Sequence, residues 1–417
     1  MSRFLFLQGP MSTFFDDLIS QIHEEGHSAT KIIFNPGDKT HPASEFYQDY
    51  TGTFEEWPKY FEKLVNSRGI TDIALYGDCR PYHERAIKVA KFLNLRIWVF
   101  EEGYLRPEFV TIEKDGVNAN GSFRFYQHGK MAEIEGEVPR RSVPSRMVSL
   151  HRNRQAISYY WRVFWKDCHY MNYISHRKYI PNEEFFIWLL AYGRRAAYKL
   201  TQSSKRKKFE EWTENKHFYF VPLQVHNDSQ IKTHSDYESV WKFIEEVLYS
   251  FAANAPSESA LVFKHHPMDV GYEQYQSRIN DLAYGLGIKE RVLYGHGFDL
   301  TRALKNTAGV VLVNSTVGIS ALLHGRKVKC MGKANYDLGG LCFKGGLVDF
   351  WKSNFEPSKR LVREFVTQLR LETQIQGNYY CYDSAFIERC AEFLTGNPDK
   401  RLNKMKKEQR DSSNTKA

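Results

Sequence analysis

Short apolar runs alternate with amphipathic stretches through the first hundred positions. FLFL (4–7), KIIF (31–34), DIALYG (72–77) and RIWVF (96–100) have the length and composition of buried strands. Between them, Phe14 to Glu25, FEEWPKYFEKLV (54–65) and ERAIKVAKFL (84–93) carry apolar residues at helical spacing. This β-α-β-α order predicts a parallel sheet with helices on its faces. The pattern returns with HFYFVPL (217–223), a helix around 237–253, ALVFKHHP (260–267) and a helix near 273–284. It continues with RVLYG (291–295), GVVLV (309–313), a helix from Val317 to His324, and KVKC (327–330). The expectation is an α/β protein of two Rossmann-like doubly wound domains, at 1–210 and 211–396. Residues 357–395 predict helix, and the polar, basic stretch 397–417 predicts a disordered tail.

Parallel α/β sheets bind ligands in the crevice at the carboxyl ends of their strands. That rule puts QGP, FNPGD, YGDCR and EEGYLRP along one rim of the first domain. The segment 140–208 breaks the alternation, with sixteen Lys or Arg against three Asp or Glu and thirteen aromatic residues interleaved. Tyr160 and Phe164, and Trp161 and Trp165, stand at i, i+4 spacing. Two readings follow: a face for a membrane surface or anionic ligand, or a helical insert with aromatics inward and charges solvated. In the first, neutralising Arg194, Arg195, Lys205, Arg206, Lys207 and Lys208 removes binding to anionic vesicles.

Composition narrows the field. A chain of 417 residues suits two domains, and its net charge of +9 favours anionic partners: nucleic acid, anionic lipid or a phosphorylated substrate. No nucleic-acid-binding motif accompanies the charge, so nucleic acid is not expected. The six cysteines form no C-x-x-C pair, which points to a reducing cytosol and to neither a zinc site nor a disulfide framework. The apolar core of MSRFLFLQGPM is too short for a signal peptide, and no run of about 18 apolar residues occurs.

Three stretches of the second half carry candidate chemistry. In FKHHPMD, Lys264, His265 and His266 follow a buried-type strand, where cations suit a phosphate leaving group. In VVLVNSTVGISALLHG, Asn314, Ser315 and Thr316 end a strand and open a helix. Such residues serve as caps, and the same exposed amides bind phosphate; Gly318, Ser320 and Ala321 leave room for a ligand to approach. In FVPLQVHNDSQI, Gln224, His226 and Asp228 follow the domain's first strand. Asp228 suits a nucleophile or general base, or else it caps a turn. His226 and His296 both sit near strand ends, and the sequence leaves open which of them meets a ligand.

With those residues in view, the sequence resembles the bacterial capsular polysaccharide β-Kdo transferases, specifically their single-module initiating type. The resemblance rests on LQGP (7–10), YGDCRPYH (76–83), FEEGYLRPEFVT (100–111), FVPLQVHNDSQI (220–231), KHHPMD (264–269) and VNSTVGISALLHG (313–325). It implies a GT-B architecture, two Rossmann-like domains around a central cleft. It also implies transfer of Kdo from CMP-β-Kdo to a lysophosphatidylglycerol at the cytosolic face of the inner membrane. Other capsule assembly or export proteins would be its partners.

No metal or other cofactor is expected, because Lys264, His265, His266, Asn314, Ser315, Thr316 and Gly318 would hold the donor phosphate. By the same resemblance Asp228 is the nucleophile of a retaining double displacement, with Gln224 and His266 beside it in the catalytic set. Asp78, Arg80, Glu102 and Arg106 would bind the acceptor head group or the donor carboxylate, the arginines bidentately. Alternatively, Arg106 forms a salt bridge to Glu101 or Glu102. Ser320 stands where many GT-B enzymes have a ribose-binding Glu. A CMP-dependent polyol-phosphate transferase and a non-enzymatic capsule-export adaptor are the competing readings.

Overall fold

The computed structural model describes residues 1–40, 45–106, 108–123, 145–164, 168–175, 181–227, 231 and 234–396. The chain forms two compact units, one of residues 1–181 with 367–417 and one of residues 182–366. Asp228 and the basic tail from 397 onward lie outside the described residues.

The first unit holds strands β1 (Arg3–Phe6), β2 (Ser28–Ile33), β3 (Tyr47–Asp49), β4 (Asp72–Tyr76), β5 (Arg96–Glu102) and β6 (Phe109–Lys114). Its helices are α1 (Phe14–Glu24), α2 (Trp57–Arg68), α3 (Pro81–Phe92) and α4 (Ser145–Phe164). A late strand, Gln374–Gln376, completes a seven-stranded sheet by pairing with β6. β1 pairs in parallel with both β2 and β4, so the chain reverses its direction of travel across the sheet between β1 and β4. Only β6 runs against the others, pairing antiparallel with both β5 and the late strand. Under one face, α1 sets Phe14, Phe15, Leu18, Ile19 and Ile22 against Phe386, Ile387, Cys390 and Leu394 of the helix Ser384–Thr395. Under the other lie Trp57, Phe61, Leu64 and Val65 of α2 with Ala86 and Ala90 of α3. The core also encloses an ion pair, Lys31 Nζ to Asp16 Oδ1 at 3.0 Å, with both side chains over nine-tenths buried.

The second unit contains α5 (Pro181–Thr201) after its first residue, α6 (Ser203–Asn215), and strands β7 (Phe218–Pro222), β8 (Ala260–Lys264), β9 (Val292–Gly295), β10 (Gly309–Leu312) and β11 (Val328–Cys330). All five strands are parallel in the order β11-β10-β7-β8-β9. The helix Val240–Asn254 buries Val240, Phe243, Ile244, Val247, Leu248 and Phe251 against this sheet. The expected pair of doubly wound α/β domains is therefore present.

The division differs from the expected boundary at 210/211, because α5 and α6 belong to the second unit. Phe209 stacks on Phe298 at 4.5 Å, and Arg302 bonds to Thr213 and Glu214, so α6 is integral to that unit's core. The region expected to be helical from 357 to 395 is broken at Gln374–Gln376. There the open edge of β6 recruits a strand whose Gln374 side chain also accepts the backbone N–H of Tyr104 at 2.9 Å.

Candidate functional site

In the second unit the carboxyl ends of β10, β7 and β8 lie side by side, with the reversal of strand order falling between β7 and β10. Such a reversal opens a crevice in doubly wound sheets. Here it is braced by a reciprocal amide pair: Gln224 Nε2 donates to Asn314 Oδ1 at 2.9 Å, and the Asn314 backbone N–H donates to Gln224 Oε1 at 3.2 Å. Gln224 and Asn314, expected in catalytic and donor-binding roles, are thus joined to each other at the switch point.

Two residues beyond Gln224, a carboxylate grips His226 twice. Asp269, fully buried, accepts from His226 Nδ1 at 2.5 Å and from its backbone N–H at 3.2 Å. The Tyr272 ring lies 4.9 Å from the imidazole. Nδ1 therefore carries the proton, while Nε2 is buried with no hydrogen-bond partner among the described residues. This Asp–His unit fixes the segment between β7 and Asp228. Sequence reasoning passed over Asp269, although it lies inside the quoted KHHPMD; the available signal was a second carboxylate near His226 once β7 and β8 were placed as neighbours.

The three basic residues at the carboxyl end of β8, Lys264 to His266, divide their tasks. Lys264 is half-buried, and burial lowers its pKa against the opposing pull of Asp299. His266 accepts from the Met268 N–H at Nδ1, 3.1 Å, and so caps the turn Pro267–Asp269. His265 turns inward: it is 1% exposed, its Nδ1 meets Tyr294 Oη at 2.7 Å, and burial pushes its pKa down to about 4. Its expected donor contact is replaced by core packing against His296, with ring centroids 4.3 Å apart. His296 stacks on Tyr198 at 4.1 Å, and burial, with His265 and nearby cations, lowers its pKa to about 3.

After β10, Ser315 Oγ accepts from the Val317 N–H at 3.3 Å, and the Ser315 carbonyl accepts from Tyr336 Oη at 2.5 Å. Thr316 makes no side-chain cap. Gly318 is buried against Tyr336, and an added Cβ would lie 2.5 Å from that ring, so its small size serves packing and not the approach of a ligand. Gly318→Ala should cost about 1–3 kcal/mol of stability through this overpacking. Urea denaturation checks it, and an unchanged midpoint counts against the packing role.

The cations of α5 and α6 are also redirected. Arg194 donates to the Val270 and Gly271 carbonyls at 3.1 and 3.2 Å, Arg195 to Pro267 at 2.7 Å, and Lys205 to Tyr294 at 3.1 Å. Half of the six residues expected on a membrane-facing patch thus anchor the loops beyond β8 and the end of β9.

In the first unit, the loops after β1, β4 and β5 form a second rim. Arg80 Nη1 bridges Gln8 Oε1 and the Gly9 carbonyl, both at 3.3 Å, and Gln8 Nε2 donates to buried Asp38 at 3.1 Å. Gly77 turns the chain out of β4 at φ +74°, a left-handed conformation that favours glycine. Asp78 leaves the expected acceptor set: it is buried, and its carboxylate accepts from the Val117 N–H at 3.2 Å and Asn120 Nδ2 at 3.0 Å. Arg106 is exposed and donates from Nε to the Gly103 carbonyl at 3.2 Å. Glu102 is half-buried beside Tyr76, whose hydroxyl lies 3.5 Å from its Oε1.

The group that sequence reasoning missed here is Glu101, which it treated only as a partner for Arg106. Burial lifts its pKa from the usual 4.5 to about 7; Glu102 adds to the rise, while the Glu102 N–H, Arg106 and Arg80 oppose it. The folded protein keeps this proton between about pH 4.5 and 7 while the unfolded chain releases it, so stability falls as pH rises through that window. Glu101→Gln should therefore raise stability by about 2 kcal/mol at pH 8, with the gain shrinking toward pH 4.5. Thermal melts across that range check it; a gain independent of pH removes the assignment.

Two α/β units, each with charged and amide-bearing loops at a strand-order reversal, define a protein built to hold ligands at the carboxyl rims of its sheets. The chain belongs to the capsule polysaccharide biosynthesis protein family, whose profile matches residues 71–380. It is 37% identical over 383 residues to the capsule polysaccharide export protein KpsS of Escherichia coli, spanning 91% of this chain and 97% of that one. It is 35% identical over 387 residues to the capsule polysaccharide modification protein LipB of Neisseria meningitidis serogroup B, spanning 90% and 91%. Among solved structures, the KpsC β-Kdo 2,7 transferase of Thermosulfurimonas dismutans aligns over 94% of this chain and 98% of that one. The two chains are 14% identical, with a TM-score of 0.42.

Proposed function

We propose that this chain is a capsule glycosyltransferase that transfers Kdo, with retention, from CMP-β-Kdo to a lysophosphatidylglycerol at the cytosolic membrane face. The observation that carries the reading is the second unit's switch point. Lys264 at the end of β8 with His266 just beyond it, the amide brace after β7, and Ser315 and Thr316 after β10 occupy the ends of three neighbouring strands. The Lys264 cation, with polar groups on the neighbouring strand ends, suits the phosphate of a departing CMP, the charge that must be stabilised as the glycosidic bond breaks. Family membership supplies the capsule context.

In this reading the Asp228 carboxylate attacks the anomeric carbon as its bond to the CMP phosphate breaks. An acceptor hydroxyl then attacks that carbon, the ester to Asp228 breaks, and the hydroxyl proton passes to a base. Asp269 and His226 act as positioning residues for the segment leading to Asp228. Lys264 and the loop amides supply the positive charge, so the reading assigns no metal or cofactor.

The test mixes purified protein with freshly generated CMP-Kdo and a lysophosphatidylglycerol and follows the acceptor by mass spectrometry. Gain of one Kdo is the expected result. An inert acceptor beside intact CMP-Kdo overturns the reading; transfer of a polyol phosphate from its CMP donor would replace it.

A further inference from the structure

Helix α4 reverses the usual arrangement of a surface helix. Its exposed positions Met147, Leu150, Arg154, Ile157, Trp161 and Phe164 recur at alternating three- and four-residue steps and so form one stripe. The five apolar members are between 48% and 67% exposed. The opposite side is committed to the protein: Ala156 is 1% exposed, Arg162 donates to the Gly37 carbonyl at 3.1 Å, and an added Cβ at Gly37 would lie 2.6 Å from the Tyr159 ring. These contacts fix which face looks outward.

We propose that this outward face of α4 is a docking surface for an anionic lipid bilayer. Residues 145–164 contain four Arg and no Asp or Glu, so nothing on the helix repels an anionic surface. Exposed Arg154 sits within the apolar stripe itself, and Trp161 and Phe164 stack at 6.4 Å near one end. Large aliphatic and aromatic side chains with interspersed cations match the membrane interface, where apolar groups enter the acyl boundary and arginines meet headgroup phosphates. No described helix is long and apolar enough to cross a membrane, so α4 lies along the surface. Arg194, Arg195 and Lys205, tied to backbone carbonyls, are not the residues that supply this attraction.

The biological sense of this surface rests on the proposed lipid acceptor, but its test does not. Wild-type protein and the Leu150→Glu/Ile157→Glu variant are sedimented with phosphatidylcholine vesicles containing about one-third phosphatidylglycerol. Both substituted positions are exposed, so melting temperature and transfer to a soluble short-chain acceptor should stay unchanged. Expected is wild-type partitioning that weakens in high salt and drops at least about tenfold in the variant. Arg154→Gln should lower it less and flatten the salt dependence. Equal sedimentation of variant and wild type overturns the proposal, as does absence of wild-type binding. A variant that disperses a dimer in light scattering with vesicle binding unmoved assigns the face to a second copy of the chain and also overturns it. If wild type lacks transferase activity yet binds vesicles through α4, the docking surface stands and the functional reading falls alone.

Discussion

Asp269→Asn is expected to lower kcat by about a thousandfold with the fold intact. The carboxylate has no exposure and receives two hydrogen bonds from one residue, the Nδ1–H and the backbone N–H of His226. An amide in its place offers one oxygen and presents N–H groups to a neighbour that also donates. The imidazole must then change tautomer or turn away, and the segment between β7 and Asp228 loses its anchor. Loss of a buried carboxylate that orients a histidine costs about four orders of magnitude where the histidine itself carries the reacting proton; a positioning role predicts somewhat less. The measurement is kcat and KM with circular dichroism, together with 15N shifts of the His226 ring. A positioning role moves kcat far more than KM and shifts the ring from its Nδ1–H tautomer. Activity within about threefold of wild type, with the tautomer unchanged, removes Asp269 from the site.

Asp16→Ala should destabilise the first unit by about 3–5 kcal/mol, the cost of leaving a buried charge without its partner. Lys31 Nζ sits 3.0 Å from Asp16 and also donates to the Asp38 carbonyl at 2.8 Å, so it ties α1 to the loop that carries Asp38. Because Asp38 receives Gln8 Nε2, and Gln8 receives Arg80, loosening at Asp16 should reach the first unit's rim. Urea denaturation measures the loss. Asp16→Leu combined with Lys31→Met tests its origin, since an apolar pair of similar volume recovers most of the stability where an uncompensated charge was the cause. A double variant as unstable as the single one would refute that account.

The strand cores were legible because their signal is local. FLFL, DIALYG, RIWVF, RVLYG and GVVLV each marked a strand to within a residue or two, and β-α order fixed the parallel sheets. β3 and the strand Gln374–Gln376 were not legible, being three residues each and held by an edge that only the folded sheet offers. The same division runs through the site. Lys264, Arg80 and Ser315 stand, as the sequence placed them, at or just beyond strand ends. Gly318, His265 and Asp78 matched the same pattern, yet Tyr336, Tyr294 and the turn at 117–120 claim them for packing. Glu101 became noticeable only through its burial, and Asp269 only through the neighbour that β7–β8 pairing brings to it.

By itself, then, the sequence determined the α/β class, the two sheets and the rims at which chemistry collects, since periodicity and strand-end composition depend on neighbours along the chain. The tertiary structure decided which rim residues are bound into the scaffold, where the units divide, and which face of α4 is left exposed. Those outcomes depend on partners tens to hundreds of residues away, as with Gln224 and Asn314 or Tyr104 and Gln374, and hydrogen bonds over such separations have no signature in local sequence.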